Sequence, residues 1–132
     1  MKIGFVNGCF DILHIGHIRM LAFAKNQCDY LIVAIDSDSR VKELKGESRP
    51  INDQDVRSEI LNAISAVDEV KIFDSATGLE NLIYKINPDI MIVGVEYKNK
   101  VVIGSEHAKK LIFFERIGNY STSKIIEDTC RR

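Results

Sequence analysis

The segment YLIVAI at positions 30–35 is an almost continuous run of apolar residues, and it ends at the polar tripeptide Asp36-Ser37-Asp38. A strand with one face in water alternates apolar and polar residues, whereas a strand covered on both faces does not. The run therefore predicts a strand over 30–35 inside a parallel sheet. Parallel strands need crossover connections, usually helices. The rest of the chain is consequently expected to alternate short strands with helices.

Further short runs rich in β-branched residues fit this alternation. They lie at Lys2–Val6, Val70–Phe73, Ile90–Val93 and Leu111–Phe114. Apolar spacing and capping signals predict helices over about 16–25, 53–65 and 79–86, with Asn52 as a cap, a short helix at 105–109 and a last helix from Ser121 or Thr122. The stretch VKELKGESRP is interpreted as a polar connection. We predict an α/β fold, a Rossmann-like doubly wound sheet of five parallel strands in a single domain, 1–132.

The charge balance narrows the range of partners. The chain has 18 Lys+Arg against 19 Asp+Glu and a formal net charge of -1, so no global positive field favours nucleic acid. The cysteines Cys9, Cys28 and Cys130 form no CxxC pair, which is typical of a reducing compartment. No apolar stretch approaches the ~20 residues of a membrane span. We expect a cytoplasmic protein that binds neither nucleic acid nor a membrane and holds any anionic ligand by a local cluster.

The turn after the first strand is the most informative stretch. It reads GCFDILHIGH and places His14 and His17 on either side of a predicted helix start. Imidazoles there can donate hydrogen bonds to one phosphate, while free backbone N–H groups and the helix dipole favour the same negative charge. Gly16 lets a ligand approach the backbone closely. The alternative is that both histidines merely decorate the helix start. A metal site is disfavoured, because zinc needs three or four ligands and no others are obviously placed.

The full string GCFDILHIGH resembles the GxFDxxHxGH signature of the cytidylyltransferase-like nucleotidyltransferases. A second hallmark of that family, an Arg followed by a Ser/Thr run, is matched by RIGNYSTS at 116–123. The resemblance spans essentially the whole chain. It implies that an acceptor phosphate attacks the α-phosphorus of a nucleoside triphosphate and releases pyrophosphate, with Mg²⁺ bound through the nucleotide phosphates. It also implies a homodimer.

The resemblance assigns roles to individual residues. His14 and His17 would stabilise the α-phosphate, and Lys45 and Arg116 would reach the triphosphate. The remaining nucleotide-binding residues would be Gly8, Cys9, Phe10, Gly16, Arg57, Gly94, Ser121, Thr122 and Ser123.

Several of these residues have plainer interpretations. Lys45 lies in a polar stretch of solvated character, and Ser121–Ser123 can simply cap the last helix. Arg57 can pair with Asp53 along a helix. Cys9 is interpreted as a small turn residue and not as a nucleophile.

The acceptor is predicted from a second resemblance. LKGESRPIN at 44–52 resembles the LKGxxRPI segment of the heptose 1-phosphate adenylyltransferases. This resemblance implies ATP and D-glycero-D-manno-heptose 1-phosphate as substrates. The loop at 94–98 departs from the KGGDY pattern of those enzymes. The alternative is a CTP-dependent glycerol-3-phosphate cytidylyltransferase, which Arg116 favours and the carboxylate of Asp74 disfavours. A nucleotide-binding module without turnover is the alternative from another class. Carboxylates accept from sugar hydroxyls, and the expected acceptor-binding residues are Asp11, Asp36 and Asp38.

Overall fold

A computed structural model describes residues 1–115. The predicted last helix from Ser121 or Thr122 and the site residues Arg116 and Ser121–Ser123 lie outside the described residues. Within 1–115 the strands are β1 (Ile3–Gly8), β2 (Tyr30–Asp36), β3 (Glu69–Phe73), β4 (Ile90–Gly94) and β5 (Lys110–Phe114). The helices are α1 (Ile15–Asn26), α2 (Asp38–Lys45), α3 (Gln54–Asn62) and α4 (Ala76–Ile86), with 3₁₀ turns at Val95–Tyr97 and Ser105–His107.

All strand pairs are parallel, and the sheet order is β3-β2-β1-β4-β5. The strands β2 and β3 follow on one side of β1, and the chain then crosses to the other side of β1, where it forms β4 and β5. This reversal of strand order is what defines a doubly wound sheet. The predicted α/β fold with five parallel strands is confirmed.

The β2 strand shows why the sheet needs a helical layer on each face. Leu31, Val33 and Ile35 belong to one buried cluster with Leu21 of α1 and Leu61 of α3. The residues between them point to the opposite face, where Ile32 and Ala34 join a second cluster with Leu79 and Ile83 of α4. The uninterrupted apolar run thus supplies two cores, one on each side of the sheet.

The segment 41–50 was predicted as a polar connection, and that prediction was wrong for 41–45, which form the second half of helix α2. Ser37 begins the helix by accepting a hydrogen bond from the Arg40 amide at 3.3 Å. Val41 is the helix's buried residue. A helix with one buried apolar residue shows no apolar residues at helical spacing in the sequence, and this spacing is the signal from which helices were predicted.

Two helix starts also differ from the prediction. Asp53, rather than Asn52, caps α3 and accepts a hydrogen bond from the Val56 amide at 2.9 Å. The α4 helix begins earlier than expected because Ser75 caps it and accepts from the Gly78 amide at 2.9 Å. Within the described part of the chain, no helix has the length and apolarity needed to cross a membrane.

Candidate active site

A cleft opens where the central strands β1 and β4 separate. They pair through Gly4↔Ile90 and Phe5↔Met91 at their amino ends, and the strands then diverge toward their carboxyl ends. Open α/β sheets bind their ligands at this position, where the strand order reverses. The cleft has a volume of about 490 Å³, and its walls include residues 6–8 of β1 and 92–94 of β4.

The turn between β1 and α1 forms one wall of the cleft and is held in a fixed conformation. Phe10 adopts a left-handed backbone with φ 50° and is buried. A side chain at Gly8 would approach the Phe10 ring, since a Cβ atom there would lie 3.0 Å from it. The close contact between the Gly8 backbone and the Phe10 ring therefore fixes the path of the turn that leads to the two histidines.

His14 and His17 form a reciprocal cap at the start of α1. The Nδ1 atom of His14 accepts a hydrogen bond from the Gly16 amide at 3.1 Å, and the Nδ1 atom of His17 accepts from the His14 amide at 3.3 Å. The rings stack with centroids 3.9 Å apart. Because both Nδ1 atoms are acceptors, each neutral ring carries its proton on Nε2. The helix start thus presents imidazole donors beside the positive end of the α1 dipole.

Helix α2 lines the opposite wall with charged residues. Arg40 and Lys45 both border the cleft, and Leu44 lies between them in sequence. The Arg40 Nε atom lies 3.6 Å from the Asp36 carboxylate at the end of β2. Two cations on α2 and a carboxylate on β2 therefore face the space beside the histidine pair.

Burial and these cations act in opposite senses on the pKa of two ionisable groups, and burial has the larger effect on both. Burial raises the pKa of Asp36, and the nearby Arg40, Arg57 and Lys45 lower it by less. Burial likewise raises the pKa of the Cys9 thiol, against the lowering effect of Lys45 and Arg57. A thiol with a raised pKa stays protonated and is a poor nucleophile. This agrees with the interpretation of Cys9 as a turn residue.

The third wall comes from the segment after β4, and it is mostly apolar. Gly94 lies at the end of β4, directly against the carboxylate of Glu96. Tyr97 and residues 101–103 complete this wall. The cleft therefore has two cations on the α2 side and a mostly apolar side beyond β4 that bears the Glu96 carboxylate, with the histidines between them.

The structure brings together most of the predicted site residues that it describes. Those lining the cleft are Gly8, Cys9, Phe10, His14, Gly16, His17, Asp36, Lys45 and Gly94. Their roles toward a ligand stay predictions. The lining also includes residues that the sequence interpretation missed, namely Asn7, Arg40, Glu96 and Tyr97. Arg40 was missed because no helix was predicted there. Asn7, Glu96 and Tyr97 lie at or just after the carboxyl ends of β1 and β4, and this position at the sheet edge was the signal that could have identified them.

Arg57 was predicted to contact nucleotide or to pair with Asp53, and the structure corrects both expectations. Its side chain is 0% exposed and does not line the cleft. The guanidinium donates to the carbonyl oxygens of Asn52 at 2.9 Å, Cys9 at 2.9 Å and Asp36 at 2.8 Å. It also donates to the Asp38 carboxylate at 2.8 Å. Arg57 therefore ties the residues at the ends of β1 and β2, which border the cleft, to α3 from the buried side.

Asp11 and Asp38 were predicted to bind acceptor hydroxyls, and neither lines the cleft. Asp11 is 1% exposed, and its carboxylate accepts from the amides of Ile51 and Asn52, both at 2.8 Å, and from Arg49 at 3.3 Å. The Asp38 carboxylate pairs with Arg57, as described above. Both carboxylates hold the protein's own backbone and side chains, which argues against a role toward a substrate.

The carboxylate of Asp74 was predicted to disfavour glycerol phosphate as the acceptor. It is exposed after β3 and borders a separate depression with Ser75 and Gly78, not the cleft. Among the described residues, a set of three side chains able to share a metal ion occurs at Glu80, Glu106 and His107. None of these three lines the cleft either.

A histidine-capped helix start at the switch point of a doubly wound parallel sheet is suited to holding the phosphates of a nucleotide. The profile of the Cytidylyltransferase-like family matches residues 5–128. The chain belongs to this family and is a nucleotidyltransferase.

Curated relatives resemble the chain over nearly its whole length. The bifunctional protein HldE of Campylobacter concisus is 48% identical over 126 residues, and the HldE of Campylobacter jejuni subsp. jejuni serotype O:6 is 51% identical over 126 residues. Each match covers 96% of this chain but only 26% or 27% of the relative. The chain thus spans about a quarter of the length of these relatives.

Solved structures show the same fold. A lipopolysaccharide core biosynthesis protein from Thermoplasma volcanium superposes with a TM-score of 0.68 at 26% identity, covering 92% of this chain and 99% of that one. Pantothenate synthetase from Thermus thermophilus superposes with a TM-score of 0.68 at 12% identity, covering 95% of this chain and 61% of that one. The second likeness is one of fold alone.

Proposed function

We propose that this nucleotidyltransferase joins AMP from ATP to D-glycero-D-manno-heptose 1-phosphate, forming ADP-heptose and pyrophosphate. The reaction class rests on the stacked His14 and His17 pair at the switch point of the sheet. The choice of substrates is supported by the LKGESRPIN segment at 44–52. It is also supported by likeness to the HldE proteins and to a lipopolysaccharide core biosynthesis protein.

In the proposed reaction, a phosphate oxygen of the sugar phosphate forms a bond to the α-phosphorus, and the bond from that phosphorus to pyrophosphate breaks. Charge accumulates on the α-phosphate oxygens as this happens. The imidazoles of His14 and His17 and the backbone N–H groups at the start of α1 would donate hydrogen bonds to such an oxyanion. Lys45 on α2 would balance charge on the triphosphate. The protein contributes position and electrostatic stabilisation, as expected for phosphoryl-type transfer, and forms no covalent intermediate.

We propose that Mg²⁺ enters this site bound to the nucleotide phosphates. The cleft's Asp36 carboxylate is an oxygen ligand of the type that Mg²⁺ accepts, but it faces Arg40. Magnesium commonly keeps one or two protein carboxylates at most and takes its other ligands from phosphates and water. The residues present fit that mode, in which the bound ion neutralises part of the triphosphate charge.

The substrate assignment is tested by measuring pyrophosphate release with ATP or CTP against a panel of acceptor phosphates. Turnover with ATP and D-glycero-D-manno-heptose 1-phosphate supports the proposal. Turnover confined to CTP and glycerol 3-phosphate would instead establish the alternative substrate pair. Tight nucleotide binding without turnover on any pair would show a nucleotide-binding module and would end the proposal.

The histidine role is tested by His17→Ala. Removing one oxyanion donor typically lowers kcat about 100- to 1000-fold, and we expect a loss of that size with unchanged circular dichroism. His107→Ala is the matched control, because His107 lies outside the cleft. Near-full activity of the folded His17→Ala protein would refute the mechanism.

We also propose that the enzyme works in the cytoplasm and as a homodimer. The three cysteines are odd in number and form no CxxC pair, which supports a reducing compartment. The family resemblance supports the dimer. Light scattering coupled to gel filtration measures the assembly directly, and a monomer at working concentration would contradict the dimer proposal.

A further inference from the structure

We propose that Arg40 binds the phosphate group of the acceptor and thereby sets the preference for a phosphorylated sugar. This inference rests on the proposed function and adds a specificity residue to it. Arg40 lies in the first turn of α2 and borders the cleft on the same side as Lys45.

The Arg40 guanidinium has a donor that the described part of the protein does not use. Its Nε atom is buried and donates no hydrogen bond to any group within residues 1–115. The Asp36 carboxylate, 3.6 Å away, supplies charge but lies beyond hydrogen-bond distance. The Arg40 side chain is 19% exposed, so it remains within reach of a ligand in the cleft.

A phosphate monoester suits these properties better than a neutral group. Its oxygens accept two parallel hydrogen bonds from a guanidinium, which lysine cannot reproduce. A phosphate would also meet a net positive charge at α2, where the two cations Arg40 and Lys45 lie near the Asp36 carboxylate. Asp36 in turn is placed to accept from sugar hydroxyls next to that phosphate.

The two sides of the cleft assign this phosphate to the acceptor. The wall beyond β4 contains Tyr97 and the apolar residues at 101–103, which suits a nucleotide base. The histidine pair lies between that wall and α2. A nucleotide whose base lies on the apolar side and whose α-phosphate meets the histidines leaves the α2 side for the attacking sugar phosphate.

A purely structural role for Arg40 makes a different prediction. If Arg40 served only to neutralise the buried Asp36 carboxylate, its replacement would lower stability. The smaller amount of folded enzyme would then lower the rate equally whichever substrate is varied. A residue that binds the acceptor phosphate instead changes the KM for that substrate alone. The separation of the two KM values therefore distinguishes the two roles.

The test compares Arg40→Ala and Arg40→Lys with wild type in steady-state pyrophosphate release. The KM for D-glycero-D-manno-heptose 1-phosphate should rise about 10- to 100-fold in Arg40→Ala, the usual range for a lost charge-assisted hydrogen bond. The KM for ATP should change less than about twofold. The KM of Arg40→Lys for the sugar phosphate should lie between those of wild type and Arg40→Ala, because lysine keeps the charge but lacks the paired N–H donors of a guanidinium.

Lys42→Ala is the matched control, because Lys42 is an exposed cation on the same helix that does not line the cleft. It should leave both KM values unchanged. An unchanged KM for the sugar phosphate in Arg40→Ala would overturn the proposal. A KM for ATP that rises as much as that for the sugar phosphate would also overturn it, because the phosphate contacted would then belong to the nucleotide.

Direct binding separates this inference from the proposed reaction. Calorimetric titration of D-glycero-D-manno-heptose 1-phosphate into wild type and Arg40→Ala, with a non-hydrolysable ATP analogue present, requires no turnover. Weaker binding to Arg40→Ala supports the role of Arg40 even if wild type fails to release pyrophosphate. Equal binding, or no binding to wild type, would overturn it.

Discussion

Arg57 allows a direct test of how the site is supported, through replacement by methionine. Methionine occupies much of the same volume but removes every donor. The carbonyl oxygens of Asn52, Cys9 and Asp36 then lose their partner, and the Asp38 carboxylate loses its cation. Asp38 is one-third exposed and can be rehydrated, so the main cost comes from the carbonyls.

The expected loss can be worked from these contacts. A buried polar group left without a partner costs about 1–3 kcal/mol, and three carbonyl oxygens lose a donor at once. Removal of the buried charge offsets part of the sum. We therefore expect Arg57→Met to lower the free energy of unfolding by about 3–4 kcal/mol. For a chain of this length that is a fall in Tm of roughly 10 °C.

The measurement is urea denaturation followed by circular dichroism, with Arg19→Met as control. Arg19 is an exposed arginine on α1, and its replacement should change stability by about 0.5 kcal/mol or less. If Arg57→Met lost under about 1 kcal/mol, the supporting role would be refuted. Weaker nucleotide binding at unchanged stability would instead favour the direct contact expected from sequence.

Three other changes test the packing around the site. Asp11→Asn should cost about 2 kcal/mol in urea denaturation, because the new amide N–H group meets backbone donors; a neutral result would contradict the role given to Asp11. Gly4→Ala should cost about 1–3 kcal/mol, since its Cβ would lie 2.7 Å from the Cys28 Sγ, and a Cys28→Ala background should reduce that cost. Burial raises the pKa of Asp68, but the hydrogen bond from Lys25 helps to lower it overall. Its stabilising effect should therefore be present above the unfolded pKa and lost as pH falls through the folded pKa, and an Asp68→Asn protein should lack that part of the acid dependence.

The strands and the histidine pair were predictable because their signals are local. The apolar run at 30–35 reports burial on both faces of a strand. His14 and His17 are three residues apart at a helix start, and that spacing alone places both rings on one turn of α1. No long-range contact is needed to interpret either pattern.

Arg57, Asp11 and Arg40 could not be placed in this way. The partners of Arg57 come from the ends of β1 and β2 and from the loop before α3, and those of Asp11 from residues about 40 positions away. A charged residue in a sequence shows the same pattern whether it faces a ligand or holds the backbone. Arg40 lies on a short helix with Val41 as its buried residue, so periodicity could not reveal which way it points.

The brief pairing between β1 and β4 also affects how the folded chain holds together. The strands β3, β2 and β1 form one continuous ladder and β4 and β5 another; within the described chain these ladders meet at Gly4↔Ile90 and Phe5↔Met91. The cleft is lined by residues of both ladders, so a ligand bound there would link them where backbone pairing is absent. Bound substrate should therefore make it harder for β1 and β4 to separate by local unfolding. This stabilisation grows with the ratio of ligand concentration to Kd.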